Sequence, residues 1–316
     1  MVVEAMADNG GGRVIVAVEV EDTPWCATGS ELVADRLFAL GASAVSELAD
    51  DDGGTSSLRL VADLPADSLD RLAAAGLRFE LLEIDPTWDD GWREHARAVC
   101  VGERLVVRPE WVDPAGAADG DADSDRVEVV VDAADSFGSG SHATTRLCLE
   151  AIERIVGPGD RVLDIGSGTG VLGVAALLLG AETLVAIDVD PNAVAATRRT
   201  AELNGAAGHV VEASGRSVAE VAADHGPFDL VLANLLVPII EELGPEMVRS
   251  VASGGRIVLS GLLDESGDGT PDGDAVVGRA TEPTQVDRAI VALGPGFGAP
   301  TVERDGGWVV VLSTRN

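Results

Sequence analysis

The sequence predicts an α/β protein in two parts. A Rossmann-like domain with a mostly parallel seven-stranded sheet is preceded by a small ferredoxin-like α+β domain. Three observations predict it. Residues 161–170 read RVLDIGSGTG, an apolar strand running into a glycine turn, and an apolar helix from Val171 and a strand closing on Asp188 follow. Strand, glycine turn, helix, strand and acidic residue form one βαβ nucleotide-binding unit. After it, strands and helices alternate and end in a hairpin, which implies a mostly parallel sheet with one antiparallel strand. Ahead of it, residues 13–84 run strand, helix, strand, strand, helix, strand, the split βαβ order of ferredoxin-like domains.

The bulk composition narrows the function classes. A chain of 316 residues suits two domains, and an apolar fraction of 46% is ample for packed cores. It carries 54 acidic residues against 22 basic ones, every one an arginine, for a net charge of −32. Such a charge argues against direct binding to nucleic acid or to an anionic membrane and favours a basic partner. Adaptation to a salty cytosol, or arginine use driven by base composition, accounts for it more simply than a particular partner does. Cys26, Cys100 and Cys148 are odd in number and scattered, so no disulfide framework and no metal spacing is expected. Glu4 and Asp8 precede any apolar run, so no signal peptide pattern is visible. The longest clean apolar run, Val171–Leu179, falls far short of the roughly 20 residues that span a bilayer. The expected location is the cytoplasm.

Residues 1–12 read as a disordered tail. Arg13–Glu21 alternates with β-branched residues and predicts a strand. Thr28–Leu40 carries apolar residues at helical spacing before Gly41. Strands follow at Ala44–Leu48, Ser57–Ala62 and Phe79–Ile84, with an acidic loop at 50–54 and a helix over Pro65–Ala75. Ferredoxin-like folds that bind RNA stack bases on strand aromatics; here the strands offer only Phe79 and the region is acidic, so a protein-docking module is expected. Asp85–Arg97 predicts a helical linker with Trp88 and Trp92 on one face, a packing stripe between domains. The second domain then spans 98–316. It opens with a strand or hairpin over Val99–Val107, an acidic loop over Asp113–Asp125 and a strand over Val127–Val131.

Asp135–Thr145, DSFGSGSHATT, reads as a flexible loop leading into a helix over Arg146–Val156, positioned to cover a ligand. His142 invites a general-base reading, although a histidine beside a helix start is more often structural. Beyond the βαβ unit, Asp190-Pro191-Asn192 starts a helix that runs through Asn204. Strands are expected at His209–Glu212, Phe228–Ala233 and Gly255–Ser260, with a helix through Val251 between the last two. Asp264–Asp274 is a solvated loop. Thr284–Leu293 predicts a helix with Thr284 and Asp287 at capping-box spacing. Thr301–Arg304 and Trp308–Ser313 form the closing hairpin.

The chemistry collects at the carboxyl ends of the strands, where α/β sheets bind ligands. Asp188 lies 18 residues beyond Gly170, where a carboxylate accepts hydrogen bonds from ribose hydroxyls. A dinucleotide site wants G-x-G-x-x-G with a pyrophosphate on the helix N-terminus. This chain has G-x-G-x-G over Gly166, Gly168 and Gly170, preceded by Asp164. A carboxylate there repels a pyrophosphate and suits a ligand with a cationic amine and a sulfonium, S-adenosylmethionine. Asn234 ends a later strand; its carboxamide oxygen and a neighbouring backbone carbonyl can accept hydrogen bonds from an amine and aim its lone pair. Methyl transfer from a sulfonium needs alignment and desolvation above all. A protonated lysine, with a pKa of about 10.4, cannot attack, and no residue offers a dedicated base.

The sequence resembles the bacterial ribosomal protein L-eleven methyltransferases, the PrmA family, in WDDGW (88–92), GERL (102–105), FGSGSHATT (137–145), LDIGSGTGVL (163–172), AIDVDPNAV (186–194), ANLL (233–236) and LSGLL (259–263). The resemblance implies a class I S-adenosylmethionine-dependent methyltransferase, a protein-lysine N-methyltransferase that acts on lysine side chains, and often an N-terminal amine, of ribosomal protein L-eleven. It implies a substrate-holding role for residues 13–84 and a monomer. By matching motif, Phe137, Gly138, Thr145, Asp164, Gly166, Gly168, Gly170, Asp188 and Asn234 are expected to contact the cofactor. Ser139, Gly140, Ser141 and His142 belong to the loop closing over substrate, and Asn234 with Leu235 orients the amine.

The chain departs from the family where threonines and a proline give way to Ser139, Ser141 and Ala143, where Ala98 replaces a proline, and in an inserted segment over 266–283. The N-terminal part matches in architecture without a motif. The nearest alternative substrate is another protein, such as an electron-transfer flavoprotein subunit. A nucleotide-dependent oxidoreductase and a catalytically silent binding module compete from other classes; the glycine spacing with Asp164 opposes the first, and the full set of Asp164, Asp188 and Asn234 opposes the second.

Overall fold

The computed structural model describes residues 13–19, 33, 37, 40, 45–48, 59–74, 77–82, 97–113, 126–132, 142–264 and 283–316. The expected tail over 1–12, the loops at 50–54 and 114–125, the tryptophan pair Trp88 and Trp92, the segment 266–282 and most of the 28–40 helix lie outside them. The chain forms two compact units, residues 1–95 and 96–316.

In the first unit, β1 (Arg13–Glu19), β2 (Val45–Leu48), β3 (Arg59–Pro65) and β4 (Phe79–Leu82) make one sheet in the order β2-β3-β1-β4. β1 runs antiparallel to both β3 and β4, and β3 antiparallel to β2. That is the ferredoxin-like order. Alternation along β1 and β3 sends Val16, Val18, Leu60, Ala62 and Leu64 into one core with Leu37 and with Leu72 of the short helix α1 (Leu69–Ala74). Val33 and Leu37 are helical, and Ser68 ties the two connections together by donating to the Leu40 carbonyl at 2.7 Å.

The second unit opens with β5 (Val99–Val101), β6 (Leu105–Pro109) and β7 (Val127–Val131). The 99–107 stretch is a hairpin turning at Gly102, and β7 adds parallel to β6. Beside this sheet, α2 (Ala143–Ile155), β8 (Arg161–Ile165), α3 (Val171–Leu178), β9 (Thr183–Asp188), α4 (Pro191–Leu203), β10 (Val210–Ser214), α5 (Val218–His225), β11 (Phe228–Asn234), α6 (Val237–Ser250), β12 (Val251–Leu263), α7 (Gln285–Leu293), β13 (Thr301–Asp305) and β14 (Trp308–Thr314) build the larger layer.

Its seven strands take the order β10-β9-β8-β11-β12-β14-β13, with β14 the one antiparallel strand. The chain leaves β8 toward β9 and β10, then returns to β11 on the other side. The strand order therefore reverses at β8, and the crevice beyond its carboxyl end is the place such sheets bind ligands. Alternate residues face opposite layers. Leu163, Ile165, Val231, Ala233, Ile257 and Leu259 pack on α5, α6 and α7. The intervening Val162, Leu230, Leu232 and Val258 are fully buried toward α2, α3 and α4.

The helix expected over Pro65–Ala75 spans Leu69–Ala74, because β3 continues through Pro65, and three elements of the second unit also differ markedly from the sequence reading. α2 begins at Ala143, three residues before the expected start, because His142 caps it and two threonines continue the turn despite their β-branched side chains. Ala143 is thus the first helical residue, the position where a proline is also tolerated. β12 begins at Val251, where a helix end was expected, because Arg315 donates to the Val251 carbonyl and closes the strand base. α5 was not anticipated, although Ser217 and Glu220 form a full capping box ahead of it.

Phe228 starts β11 at 1% exposure, with the Arg161 guanidinium 5.8 Å above its ring. Truncation to alanine removes both the packing and the cation contact. Phe228→Ala should cost about 3–5 kcal/mol, read as a lower denaturation midpoint at unchanged slope in urea.

Candidate active site

The glycine turn between β8 and α3 is built on crowded ground. Gly170 caps α3 with φ +77°, in the left-handed region, and a Cβ there would lie 2.9 Å from Thr197 Cα on α4. Conformation and space both require glycine. Gly166 meets the Leu235 side chain so closely that a Cβ would overlap Leu235 Cδ2. Gly166 and Ser167 both donate to the Ile187 carbonyl, at 2.8 and 3.1 Å, which fastens the turn to the end of β9. Thr197, fully buried, donates to the Gly168 carbonyl at 3.1 Å and lies 3.0 Å from Ser167 Oγ.

Asp188 occupies the end of β9. One carboxylate oxygen accepts from Gly168 N–H and the other from Asp190 N–H, each at 3.0 Å. Each oxygen retains a lone pair, so the group can accept from a diol while its own orientation is fixed. Val189, next to it, is 91% exposed, a large apolar side chain standing free between two aspartates.

Asp164, expected as a cofactor contact at the strand end, is buried there. It is 1% exposed and accepts from Gly173 N–H at 3.0 Å, inside the first turn of α3. Burial, against the pull of that hydrogen bond and with help from the Asp188 charge, raises its pKa to about 7. It lies beneath the turn as a latent charge.

Asn234 ends β11, and its Nδ2 donates to Thr144 Oγ1 at 3.2 Å. Thr144 Oγ1 lies 2.8 Å from His142 Nδ1, which also accepts the Thr144 backbone N–H at 3.4 Å. His142 therefore acts as the cap of α2, its ring edge-on to Trp308 with centroids 5.1 Å apart. Burial, then the Arg146 charge, lowers its pKa. Leu235 donates its N–H to the Ser260 carbonyl at 3.1 Å. At Gly261, φ +83°, a Cβ would lie 2.8 Å from Leu235 C and overlap its carbonyl oxygen. Thr145, at 1% exposure, has a hydroxyl with no partner among the described residues.

The fold thus brings Gly166, Gly168, Gly170, Asp188, Asn234, Leu235, Thr145 and His142 to one end of the sheet. Phe137, Gly138, Ser139, Gly140 and Ser141 lie outside the described residues. Sequence reasoning passed over Thr144, Val189, Thr197 and Gly261. A lone apolar residue in DVD and a glycine inside a strand pattern were readable signals for Val189 and Gly261; Thr197 carried none.

The profile of a family described as "Ribosomal protein L11 methyltransferase (PrmA)" matches residues 56–272. The chain belongs to this family. It is 41% identical over 178 residues to the ribosomal protein L11 methyltransferase of Pelotomaculum thermopropionicum, covering 56% of this chain and 55% of that one. It is 39% identical over 194 residues to the protein of the same name in Synechococcus sp. (strain RCC307), covering 61% and 62%. The chain spans roughly six tenths or less of the length of these curated PrmA relatives, 55% and 62%. A crystal structure of a ribosomal protein L11 methylase from Lactobacillus delbrueckii subsp. bulgaricus aligns at a TM-score of 0.55 and 26% identity, covering 70% of this chain and 99% of that one. The stretch matched to the PrmA family contains the glycine turn, Asp188, Asn234 and Gly261.

Two outcomes follow from this geometry. Gly261→Ala forces the Leu235 carbonyl aside and strains a left-handed residue; the protein should lose about 1–3 kcal/mol in denaturation, and an amide chemical-shift map should locate the change at residues 234–236. Asp164 titrates near pH 3.8 unfolded and near pH 7 folded. The native state holds the extra proton between these values, so its stability falls as pH rises through that window and levels off above it. Asp164→Asn should flatten this slope in denaturation midpoints taken from pH 4 to pH 8.

Proposed function

We propose that the chain is a protein-lysine N-methyltransferase that moves methyl groups from S-adenosylmethionine to lysine amines of ribosomal protein L11, in the cytoplasm. One observation carries the reading: the Leu235 side chain lies directly against Gly166, which sets the Asn234-Leu235 segment beside a glycine turn whose Gly168 N–H holds the strand-end carboxylate Asp188.

The residues present fit the cofactor. Asp188 would hold the ribose hydroxyls, Val189 would cover an adenine face, and Gly166–Gly170 would let the backbone approach the amino-acid portion. The orphan Thr145 hydroxyl would find its partner there, and ionised Asp164 beneath the turn would favour a cation. When bound, S-adenosylmethionine supplies a methyl group on a sulfonium that departs as a neutral thioether.

The chain's residues do the rest by alignment. Asn234 Oδ1 and a neighbouring carbonyl of the Asn234-Leu235 segment accept the two N–H groups of a neutral amine, which turns its lone pair toward the methyl carbon. The N–C bond forms as the C–S bond breaks, and the surplus proton of the product ammonium passes to water. His142 takes no proton, because its Nδ1 is committed to the cap of α2 and burial keeps the ring neutral. The net charge of −32 suits a basic protein substrate. Residues 13–84 are the candidate surface for holding it. Among the described residues no helix is long and apolar enough to cross a membrane.

The test is calorimetry with S-adenosylmethionine, then mass spectrometry of purified ribosomal protein L11 incubated with both. Binding together with mass gains in whole methyl increments is expected. Binding without modification would discard the substrate, and no binding would discard the reading. Asn234→Ala should leave the fold intact, read as an unchanged denaturation midpoint, and cut turnover by roughly 100-fold or more.

A further inference from the structure

We propose that Thr144 and His142 are positioning residues that lock the Asn234 carboxamide with its oxygen turned to the acceptor amine. The inference rests on the amine-transfer reading above and deepens it.

A carboxamide can face either way round, and only its hydrogen-bond network decides which. Here the capping bond of α2 supplies a consistent solution, which starts at a group that can only donate. The Thr144 backbone N–H points at His142 Nδ1, at 3.4 Å. That nitrogen is therefore an acceptor, and the neutral imidazole carries its proton on Nε2. Thr144 Oγ1, 2.8 Å from the same nitrogen, then directs its single proton there. Having spent that proton, the hydroxyl can only accept from the Asn234 amide 3.2 Å away, so the facing atom is Nδ2. Oδ1 is left on the opposite side of the carboxamide.

The starting point is itself held. Thr144 is 1% exposed, and the His142 ring is wedged edge-on against Trp308, centroids 5.1 Å apart at 66°. Gly306, in the turn before Trp308, runs past Ala143 with a Cβ-to-Cβ approach of 3.9 Å for any side chain placed there. Arg146 pairs with Asp305 of the same turn at 2.8 Å. The β13–β14 hairpin thus supports the first turn of α2. Without the relay the amide could rotate and present NH2, a donor, to an amine whose N–H groups need acceptors.

The experiment compares Thr144→Val, which keeps the shape and removes the hydroxyl, with Thr144→Ser, which restores it. Valine should lower kcat for methyl transfer roughly 10- to 100-fold and leave the S-adenosylmethionine dissociation constant unchanged; serine should recover most of the loss. A purely structural role would instead lower cofactor affinity and the denaturation midpoint in step with kcat. Independently of any substrate, long-range proton–nitrogen spectra should give His142, identified by its loss in His142→Gln, an unprotonated acceptor-type Nδ1. Unchanged kcat in the valine variant overturns the proposal, as does a proton on Nδ1. A wild-type chain that binds cofactor and methylates no amine overturns the function proposed above, which the mutant comparison alone cannot do.

Discussion

The site depends on backbone passing where no side chain fits. Between Ile165 and Val171 the chain runs between Thr197 on one side and Leu235 on the other, and Gly170 and Gly166 fill these contacts with nothing beyond Cα. Crowding gives rigidity here. α4 presses on the turn from one flank and tethers it through Thr197, while the Ile187 carbonyl holds two of its N–H groups. A loop with room for side chains would need other means to stay in place. The same device recurs across the sheet, where Gly261 steps around the Leu235 backbone. The glycine turn and the Asn234-Leu235 segment are therefore fixed relative to each other by direct contact, which is what the proposed alignment-driven reaction requires.

Polar groups near the turn divide by burial. Asp188 keeps access to the crevice and spends one lone pair of each oxygen on the backbone, so its orientation survives ligand exchange. Asp164 sits inside, where burial raises its pKa to about 7, and a cation above it would recover part of that desolvation cost. The two carboxylates have the same chemistry and different roles because one retains water and the other does not.

Much of this was legible in the sequence for physical reasons. The mostly parallel seven-stranded sheet follows from alternating β-branched strands with helices of 3.6-residue period, and Thr284 announced α7 through its capping box. The glycine turn, Asp188 and Asn234 were legible because positive φ and strand-end placement restrict residue type. What escaped were relations between distant segments. Thr144 looks like a loop residue until β11 brings Asn234 to it, 90 positions away. The start of α2 was misplaced because a histidine cap is a weak local signal and threonine is a modest helix former. The depth of Asp164 was not legible, since a sequence records that a strand ends in aspartate and not how deeply the next helix covers it.

The absence of lysine has a consequence for the proposed chemistry that the charge total alone does not convey. All 22 basic side chains are guanidinium groups, which stay protonated and are poor nucleophiles. A catalyst that presents an activated methyl group to neutral amines therefore carries no side-chain amine of its own to compete with its substrate. The ion pairs that lysine would otherwise make are taken by arginine forks. Arg198 grips both oxygens of Glu212, at 3.1 and 2.7 Å, and Arg288 both oxygens of Glu241, at 2.8 and 2.6 Å. Bidentate geometry ties down surface helices α4 and α7 more specifically than a point charge could. Base composition or salt adaptation suffices to explain how such a composition arose. Its chemical effect is the same in either case: a strongly negative chain with no lysine of its own.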